Sequence, residues 1–585
     1  MPSTVPLAAY LFGRLRQLGL GSVHGVPGDF NLALLDHLEP AGLRWVGNAN
    51  ELNAAYAADA YARVRGLAAL VTTFGVGELS AVNAIAGAYS ERAAVVHIVG
   101  VPSREAQDAR LLLHHGLNDG DYRRFARVHA LFTVAQTRLW DPRTGPRQID
   151  DVLRQCLAAS RPVYIEVPVD LVPLPVPDAA LRLPIESCRR RDPLPPDPTR
   201  DTVVADVVAR MRGAARPIIL VDGEVRPMGI VDDVQRLVKR TGWPTWTSPF
   251  GKGLLDETAP GFHGVYRGAF ADAAARTAFD EADLILCFGP HLSWSNTYGF
   301  SSVPRIEVTI FFTDAEVRLC GETFRDVPAQ YIAPRLAEAL EPSTMVSCKP
   351  CRALHMHQPI GTSNGRPPSP VSACASDDAP LVHDGLWTSL SCFLRPGDIV
   401  LGDTGTSGYG VREMRLPKHA RLFTHVTWLS VGYMLPGAQG AALAQRELVE
   451  SDDYFGIQDA RTILFVGDGA FQMTAQELAT IIRHELDVVV FLVNNDGYTV
   501  ERCIHGRSQA YNDIPRWRYL QAPAFFGAAE DTFTASVKTW AELATVLADE
   551  RLRDGKGLRM VELVLDREDV PKGPLSECLE AQKNA

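Results

Sequence analysis

The apolar, β-branched run Thr462-Ile463-Leu464-Phe465-Val466 leads directly into Gly467-Asp468-Gly469, and twenty-four residues later a second such run, Val488 to Val493, ends at Asn494-Asn495. Short apolar runs closed by turn residues are the pattern of strands buried on both faces, and hence of a parallel sheet. Between them, Thr474-Ala475-Gln476-Glu477 has capping-box spacing and predicts an amphipathic helix reaching about His484, whose free N–H groups favour a phosphate. Asp468 and Asn495 then stand at the ends of neighbouring strands, where open α/β sheets bind ligands. Singly, G-D-G is a turn and Asn-Asn before Asp496-Gly497 a loop signal. Together they place a carboxylate and an amide oxygen at one sheet edge, a donor set that suits magnesium already bound to a phosphate.

The same alternation runs through the chain. Helical stretches (Leu7 to Leu18, Glu51 to Val64) and short apolar strands (Ala68 to Thr72, Ala94 to Val99, Val163 to Val167) fill the first block. Pro217 to Val221 and Leu284 to Phe288 are strands of a middle block, and Asp398 to Leu401 and Met560 to Leu565 join the two opening runs in a third. Two Pro-rich breaks, about 168–198 and 341–380, read as extended linkers. The expectation is an α/β chain of three domains, each a mostly parallel sheet flanked by helices: 1–180, 198–342 and, after a linker at 343–380, 381–585. Its 585 residues exceed what one core supports.

Composition narrows the class. A net charge of -11 argues against nucleic acid as the main partner, and no apolar run approaches the about 18 residues that span a bilayer. Neither a signal peptide at Met1 to Tyr10 nor a peroxisomal tripeptide at the end is present, so a cytoplasmic enzyme is expected. Ten cysteines scattered from Cys156 to Cys578 form no disulfide framework. Cys348-x2-Cys351 with His355 and His357 is spaced too tightly for a zinc finger and lies in linker composition.

Three segments of the first block carry the chemistry: His24-Gly25-Val26-Pro27-Gly28-Asp29, Asn50-Glu51-Leu52-Asn53-Ala54-Ala55-Tyr56-Ala57-Ala58-Asp59 and Thr73-Phe74-Gly75-Val76-Gly77-Glu78-Leu79-Ser80. Alone, Glu51 reads as a first-turn helix residue beside a capping Asn50, and Gly75-x-Gly77-x-x-Ser80 as a dinucleotide fingerprint lacking its third glycine. Taken together, and with Gly467-Asp468-Gly469 and Asn494-Asn495, the segments resemble the thiamine diphosphate-dependent 2-oxo acid decarboxylases of the pyruvate and indolepyruvate decarboxylase branch. That resemblance implies the thiamine diphosphate-binding fold, with pyrimidine-binding (PYR), middle and diphosphate-binding (PP) domains. It makes Glu51 the residue that protonates N1' of the cofactor's aminopyrimidine, a step helped by an apolar pocket that raises a carboxyl pKa. It also makes His114-His115 the double-histidine element of the decarboxylase branch, acting with Asp29.

In the third block the resemblance assigns further contacts. Thr404 and Thr406 follow a strand and flank the diphosphate. Trp428-Leu429-Ser430-Val431-Gly432-Tyr433 is similar to W-G-S-I-G-F, which places a backbone carbonyl for the 4'-amino group at Leu429 and the apolar wedge that bends the cofactor at Val431. Gly469, Ala470 and Asn495 to Val500 (Asp496, Gly497, Tyr498, Thr499) complete the cofactor site, Asp468, Asn495 and the Gly497 carbonyl bind Mg2+, and Glu501 faces the substrate. Three departures stand out: leucine for glycine at 429, valine for isoleucine at 431, and alanine for serine at 470.

The implied reaction is non-oxidative decarboxylation of a 2-oxo acid to an aldehyde and CO2 through a cofactor-bound carbanion and enamine, with Asp29, Glu51, His114, His115 and Glu501 handling protons. Ser295 stands where small-substrate members carry phenylalanine, so a larger aliphatic or aromatic 2-oxo acid is expected beside or instead of pyruvate, unless the adjacent Trp294 refills the space. A regulatory cysteine is missing near Glu224, which implies hyperbolic kinetics. Family members join Glu51 of one subunit to Asp468 of another, which implies a homodimer or homotetramer. A carboligase and a catalytically weak cofactor-binding homologue are the alternatives.

Overall fold

The computed structural model describes residues 3–185, 195–339 and 378–583, arranged as three α/β units. The first contains β1 (Thr4–Pro6), β2 (Ser22–Gly25), β3 (Arg44–Trp45), β4 (Ala68–Thr73), β5 (Val95–Val101), β6 (Ala135–Arg138), β7 (Val163–Pro168) and β8 (Pro175–Pro177), with helices α1 (Leu7–Gln17), α2 (Glu51–Arg65) and α3 (Val76–Ser90). Six strands form a wholly parallel sheet in the order β3-β2-β4-β5-β7-β6. Every residue of β4, β5 and β7 is buried, which is why these strands are continuous apolar runs. Residues 168–185, Pro-rich like a linker although the expected first domain runs to 180, belong to this unit. There β8 pairs antiparallel with β1, and Leu171, Val172, Val176 and Ile185 enter the core. A two-stranded edge pairing is a place where a sheet tolerates Pro175 and Pro177.

The second unit has β9 (Pro217–Val221), β10 (Thr245–Thr247), β11 (Phe262–Val265), β12 (Leu284–Phe288), β13 (Thr309–Phe312), β14 (Glu316–Leu319) and β15 (Glu322–Arg325), in the order β11-β10-β9-β12-β13-β14-β15. Only β14 runs against the others, pairing antiparallel with both β13 and β15. The Cys348 to His357 cluster lies outside the described residues. The third unit orders its strands β17-β16-β18-β19-β21-β20, again all parallel: β16 (Ile399–Gly402), β17 (Arg421–Thr424), β18 (Thr462–Gly467), β19 (Val488–Asn494), β20 (Thr534–Val537) and β21 (Leu558–Val564). Its helices include α4 (Thr406–Gly410), α5 (Met434–Glu450), α6 (Asp468–Thr474), α7 (Leu478–Arg483), α8 (Thr499–Ile504) and α9 (Pro574–Lys583).

The first and third units share one core. Helix α2 is capped by the Asn50 side chain, which accepts from the Asn53 N–H, and it carries an alanine-rich face; α5 crosses it with Gly437 and Gly440. A Cβ on Gly440 would lie 1.9 Å from the Ala57 carbonyl oxygen, so the two backbones touch. Small residues on both helices permit that approach. Glu51 at the head of α2 is thereby fixed relative to the third unit.

Candidate functional site

Adjacent strands β18 and β19 deliver Asp468 and Asn495 to one sheet edge. Asp468 Oδ2 accepts from the Gly497 N–H at 2.9 Å and Oδ1 from the Gly469 N–H at 2.8 Å. Asn495 Oδ1 faces two further oxygens, the Gly497 carbonyl at 3.1 Å and Asp468 Oδ1 at 3.3 Å, with no proton between them. Turned over, the amide would hydrogen-bond to both, and amide orientation is a matter of assignment. In an octahedral Mg2+ shell, with bonds of about 2.1 Å, neighbouring oxygens stand about 3 Å apart, so the inward-facing orientation matches the donor set of a hard cation. Burial pushes Asp468 up to about 6, against the two N–H donors. Asn495 Nδ2 reaches Thr406 Oγ1 at 3.4 Å, which brings α4 and its Gly405 turn (φ 133°) to the same edge.

Beside this group, Gly469 lies against the Tyr498 ring, where a Cβ would meet Cε1 at 2.5 Å, and Ala470 is buried. The expected capping box does not form. The helix starts instead at Asp468, Thr474 donates its hydroxyl to the Gly432 carbonyl, and buried Glu477 accepts from Asn48 of the first unit. N–H groups free for a phosphate therefore lie at the start of α6. Asp496 turns its carboxylate to Arg516 and Arg567, and Val500 packs toward α9, so both present only backbone to the edge. Thr499 donates its hydroxyl to the Arg567 carbonyl.

The loop Val426 to Met434 is held at both ends by buried carboxylates that sequence reasoning missed. Glu91, from the end of α3, accepts from the N–H groups of Val426, Thr427 and Trp428 at 2.9–3.2 Å. Asp403, after β16, accepts from Gly432 and Met434 at 3.1 and 2.9 Å. Burial raises Asp403 to about 7. Burial also acts on Glu91 but is outweighed by His425, Arg63 and the backbone donors, which bring it down to about 2. Between the two anchors Leu429 takes φ 54°, a left-handed conformation natural to glycine. Ser430 Oγ is 2.6 Å from the Tyr56 hydroxyl, and Val431 is exposed. An isolated Asp or Glu carries no motif, so only a turn signal next to Asp403 was available to find these anchors.

In the first unit, His114 Nε2 is hydrogen-bonded to Asp29 Oδ2, and His115 Nε2 stands 3.5 Å from Oδ1. All three groups lie within 4.8 Å of one another, with Phe30 against both rings. Slight desolvation of Asp29 is outweighed by His114, which holds its carboxyl below the usual range. Glu51 is half-buried, and that burial raises its pKa against the helix N–H donors. The turn Gly75 to Gly77 separates the two groups. A Cβ on Gly75 would lie 2.1 Å from the His115 carbonyl oxygen, and one on Gly77 would lie 3.0 Å from Glu51 Oε1. Behind the turn, buried Glu78 accepts from the Gly75 N–H and the Tyr164 hydroxyl, both at 2.8 Å, and desolvation lifts it to about 8.

The site residues thus form two half-sites. Among the described residues, neither Glu51 nor exposed Glu501 makes a hydrogen bond or ion pair with Asp468, Asn495 or the Asp29–His114–His115 group. Glu224 pairs with Arg92 at 2.5 Å and His291 at 3.1 Å, and His291 Nε2 reaches Thr427 Oγ1 at 2.6 Å. Trp294, next to Ser295, is 63 % exposed.

Family models match all three units: "Thiamine pyrophosphate enzyme, N-terminal TPP binding domain" at residues 6–122, "central domain" at 204–318 and "C-terminal TPP binding domain" at 403–557. The chain is 50 % identical over 579 residues to a pyruvate decarboxylase of Aspergillus parasiticus, covering 97 % of this chain and 96 % of that one. It is 37 % identical to pyruvate decarboxylase isozyme 1 of Saccharomyces cerevisiae over the full length of both. The thiamine diphosphate-dependent 4-hydroxybenzoylformate decarboxylase of Rhodococcus jostii RHA1 shares the fold, with a TM-score of 0.72 at 18 % identity, covering 96 % of this chain and 99 % of that one.

Proposed function

Because the chain belongs to the thiamine pyrophosphate enzymes, as a 2-oxo acid decarboxylase related to the pyruvate decarboxylases, we propose a site that binds the cofactor through Mg2+ held by Asp468, Asn495 and the Gly497 carbonyl. The gathering of the Asp468 carboxylate, the Asn495 amide and the Gly497 carbonyl at one sheet edge carries this reading. Thiamine diphosphate, when bound, supplies the carbon nucleophile and the electron sink that lets CO2 leave. Thr404, Thr406, Gly469 and Ala470 would border the diphosphate, and Tyr498 and Thr499 support that wall. Leu429 would offer its carbonyl to the aminopyrimidine, Ser430 holds the loop through Tyr56, and Val431 would press on the cofactor. Glu51 would hold a proton toward the pyrimidine ring. Asp29, His114, His115 and Glu501 would move protons at the substrate carbonyl and product carbon. Calorimetry of the Mg2+-saturated protein tests the assignment, because absence of thiamine diphosphate binding overturns it.

Serine at 295, where the resembling small-substrate enzymes carry phenylalanine, with the neighbouring Trp294 ring exposed, supports a larger 2-oxo acid, such as phenylpyruvate or indolepyruvate. Comparing kcat/KM for pyruvate and phenylpyruvate decides this, and a strong pyruvate preference contradicts it. The Arg92–Glu224–His291 ion pairs fill the place where the family carries a regulatory cysteine, which supports hyperbolic kinetics. Exposed Val76 and Leu79 beside Glu51, and Trp428, Val431 and Met473 beside the loop, support burial against a second copy as a homodimer or homotetramer. Sedimentation at several concentrations tests that, and fluorescence imaging of a tagged chain tests cytoplasmic residence. No helix among the described residues is long and apolar enough to cross a membrane.

A further inference from the structure

Arg412 lies on the short helical turn after α4 and is only 7 % exposed. It makes no hydrogen bond or ion pair with any described residue, and its Nε and Nη1 are buried without a partner. Its guanidinium is 4.7 Å from the Tyr409 ring and 5.7 Å from the Tyr298 ring. Aromatic faces compensate a buried charge only in part, and they leave its N–H donors unsatisfied.

The same side chain lines an open-mouthed pocket where the second unit meets the third, together with Arg267, Tyr298, Tyr409, Glu413 and Lys572. Glu413 is engaged by Arg267 at 3.4 Å, and Lys572 by Asp384 at 2.8 Å on the exposed rim. Three cations thus face two acids, and Arg412 is the unpaired one. A guanidinium fork with free donors in a cation-rich pocket matches an oxyanion.

We propose that this pocket binds a small oxyanion, inorganic phosphate or a short carboxylate, against Arg412 and Lys572. Such an occupant would brace the element that carries Glu501. Tyr409 packs on the Cys503, Leu575 and Leu579 cluster beneath α8, and Gln582 of α9 donates to the carbonyls of Arg502 and Cys503.

The test uses protein saturated with Mg2+ and thiamine diphosphate, so that the phosphate-binding edge near Asp468 is filled, and cofactor binding is verified separately beforehand. Melting temperature and calorimetry are followed against phosphate, acetate and, at equal ionic strength, chloride. A saturable response to phosphate or acetate beyond that to chloride is expected; phosphate alone identifies a tetrahedral anion and acetate alone a carboxylate. Affinity should fall at least tenfold in Arg412→Met and at least threefold in Lys572→Met. Responses no larger than chloride's, or equal in wild type and Arg412→Met, overturn the proposal. Should Arg412→Met fail to fold, Lys572→Met decides, and unchanged affinity there overturns it.

Discussion

Leu429 and Ala470 are two of the three positions where the cofactor site departs from the pattern it resembles, and they differ in what they should cost. Left-handed φ at leucine costs about 1 kcal/mol, but glycine there would loosen the unfolded chain by about as much, so stability barely registers the substitution. Ala470 is different, because it removes a hydroxyl that would meet a charged group. Ala470→Ser is expected to tighten thiamine diphosphate binding by about tenfold, the lower range for a hydrogen bond to a charge; calorimetric Kd values at fixed Mg2+ check it, and an unchanged Kd means the hydroxyl has no partner. Glu51→Gln keeps shape and helix position but removes the proton. It should lower kcat/KM by about a hundredfold or more with cofactor Kd nearly unchanged, measured by CO2 release and calorimetry.

At the scale of elements, the Gly75 to Gly77 turn and the Val426 to Met434 loop both rest on buried carboxyls with raised pKa values, Glu78 near 8 and Asp403 near 7. A carboxyl whose folded pKa exceeds its unfolded value takes up protons on folding. Its contribution to stability is therefore full below about pH 4 and is lost as pH rises through the folded value. The melting temperature is expected to fall between pH 5 and pH 8, and Glu78→Gln should flatten that slope; an equally steep slope in the variant contradicts the assignment. Asp403 and Glu91 were not legible in the sequence, because nothing local marks an acid whose partners are backbone N–H groups far along the chain, Gly432 and Met434 for the one and Val426 to Trp428 for the other. Strands were legible: Pro217–Val221 and Leu284–Phe288 appear with the expected ends, since burial on both faces writes itself as an apolar run. The capping box at Thr474 misled because Glu477 finds Asn48 across the unit boundary, and the 168–185 prolines misled because an edge pairing tolerates them. Asp468, Asn495 and the Asp29–His114–His115 group were legible because each sits in a spaced motif.

For the whole molecule, two features make separate predictions. The α2–α5 crossing is shared between the first and third units, so Gly440→Val should cost about 3 kcal/mol by overpacking and lower the denaturant midpoint of both units together; two separated transitions would show that the units fold independently. On the proposed dimer, in which Glu51 of one subunit works with Asp468 of the other, Glu51→Gln and Asp468→Asn proteins, each nearly inactive, should regain about a quarter of wild-type activity when unfolded and refolded together, from random pairing into two-fold dimers. No recovery on mixing would place both residues in one subunit's site. The anchored loop carries a last consequence. Since Glu91 and Asp403 grip it through peptide N–H groups, and Leu429 is expected to offer only a carbonyl, its instructions are written in main chain. The side chain at 429 is then free to drift, while the loop itself stays where the two carboxylates fasten it.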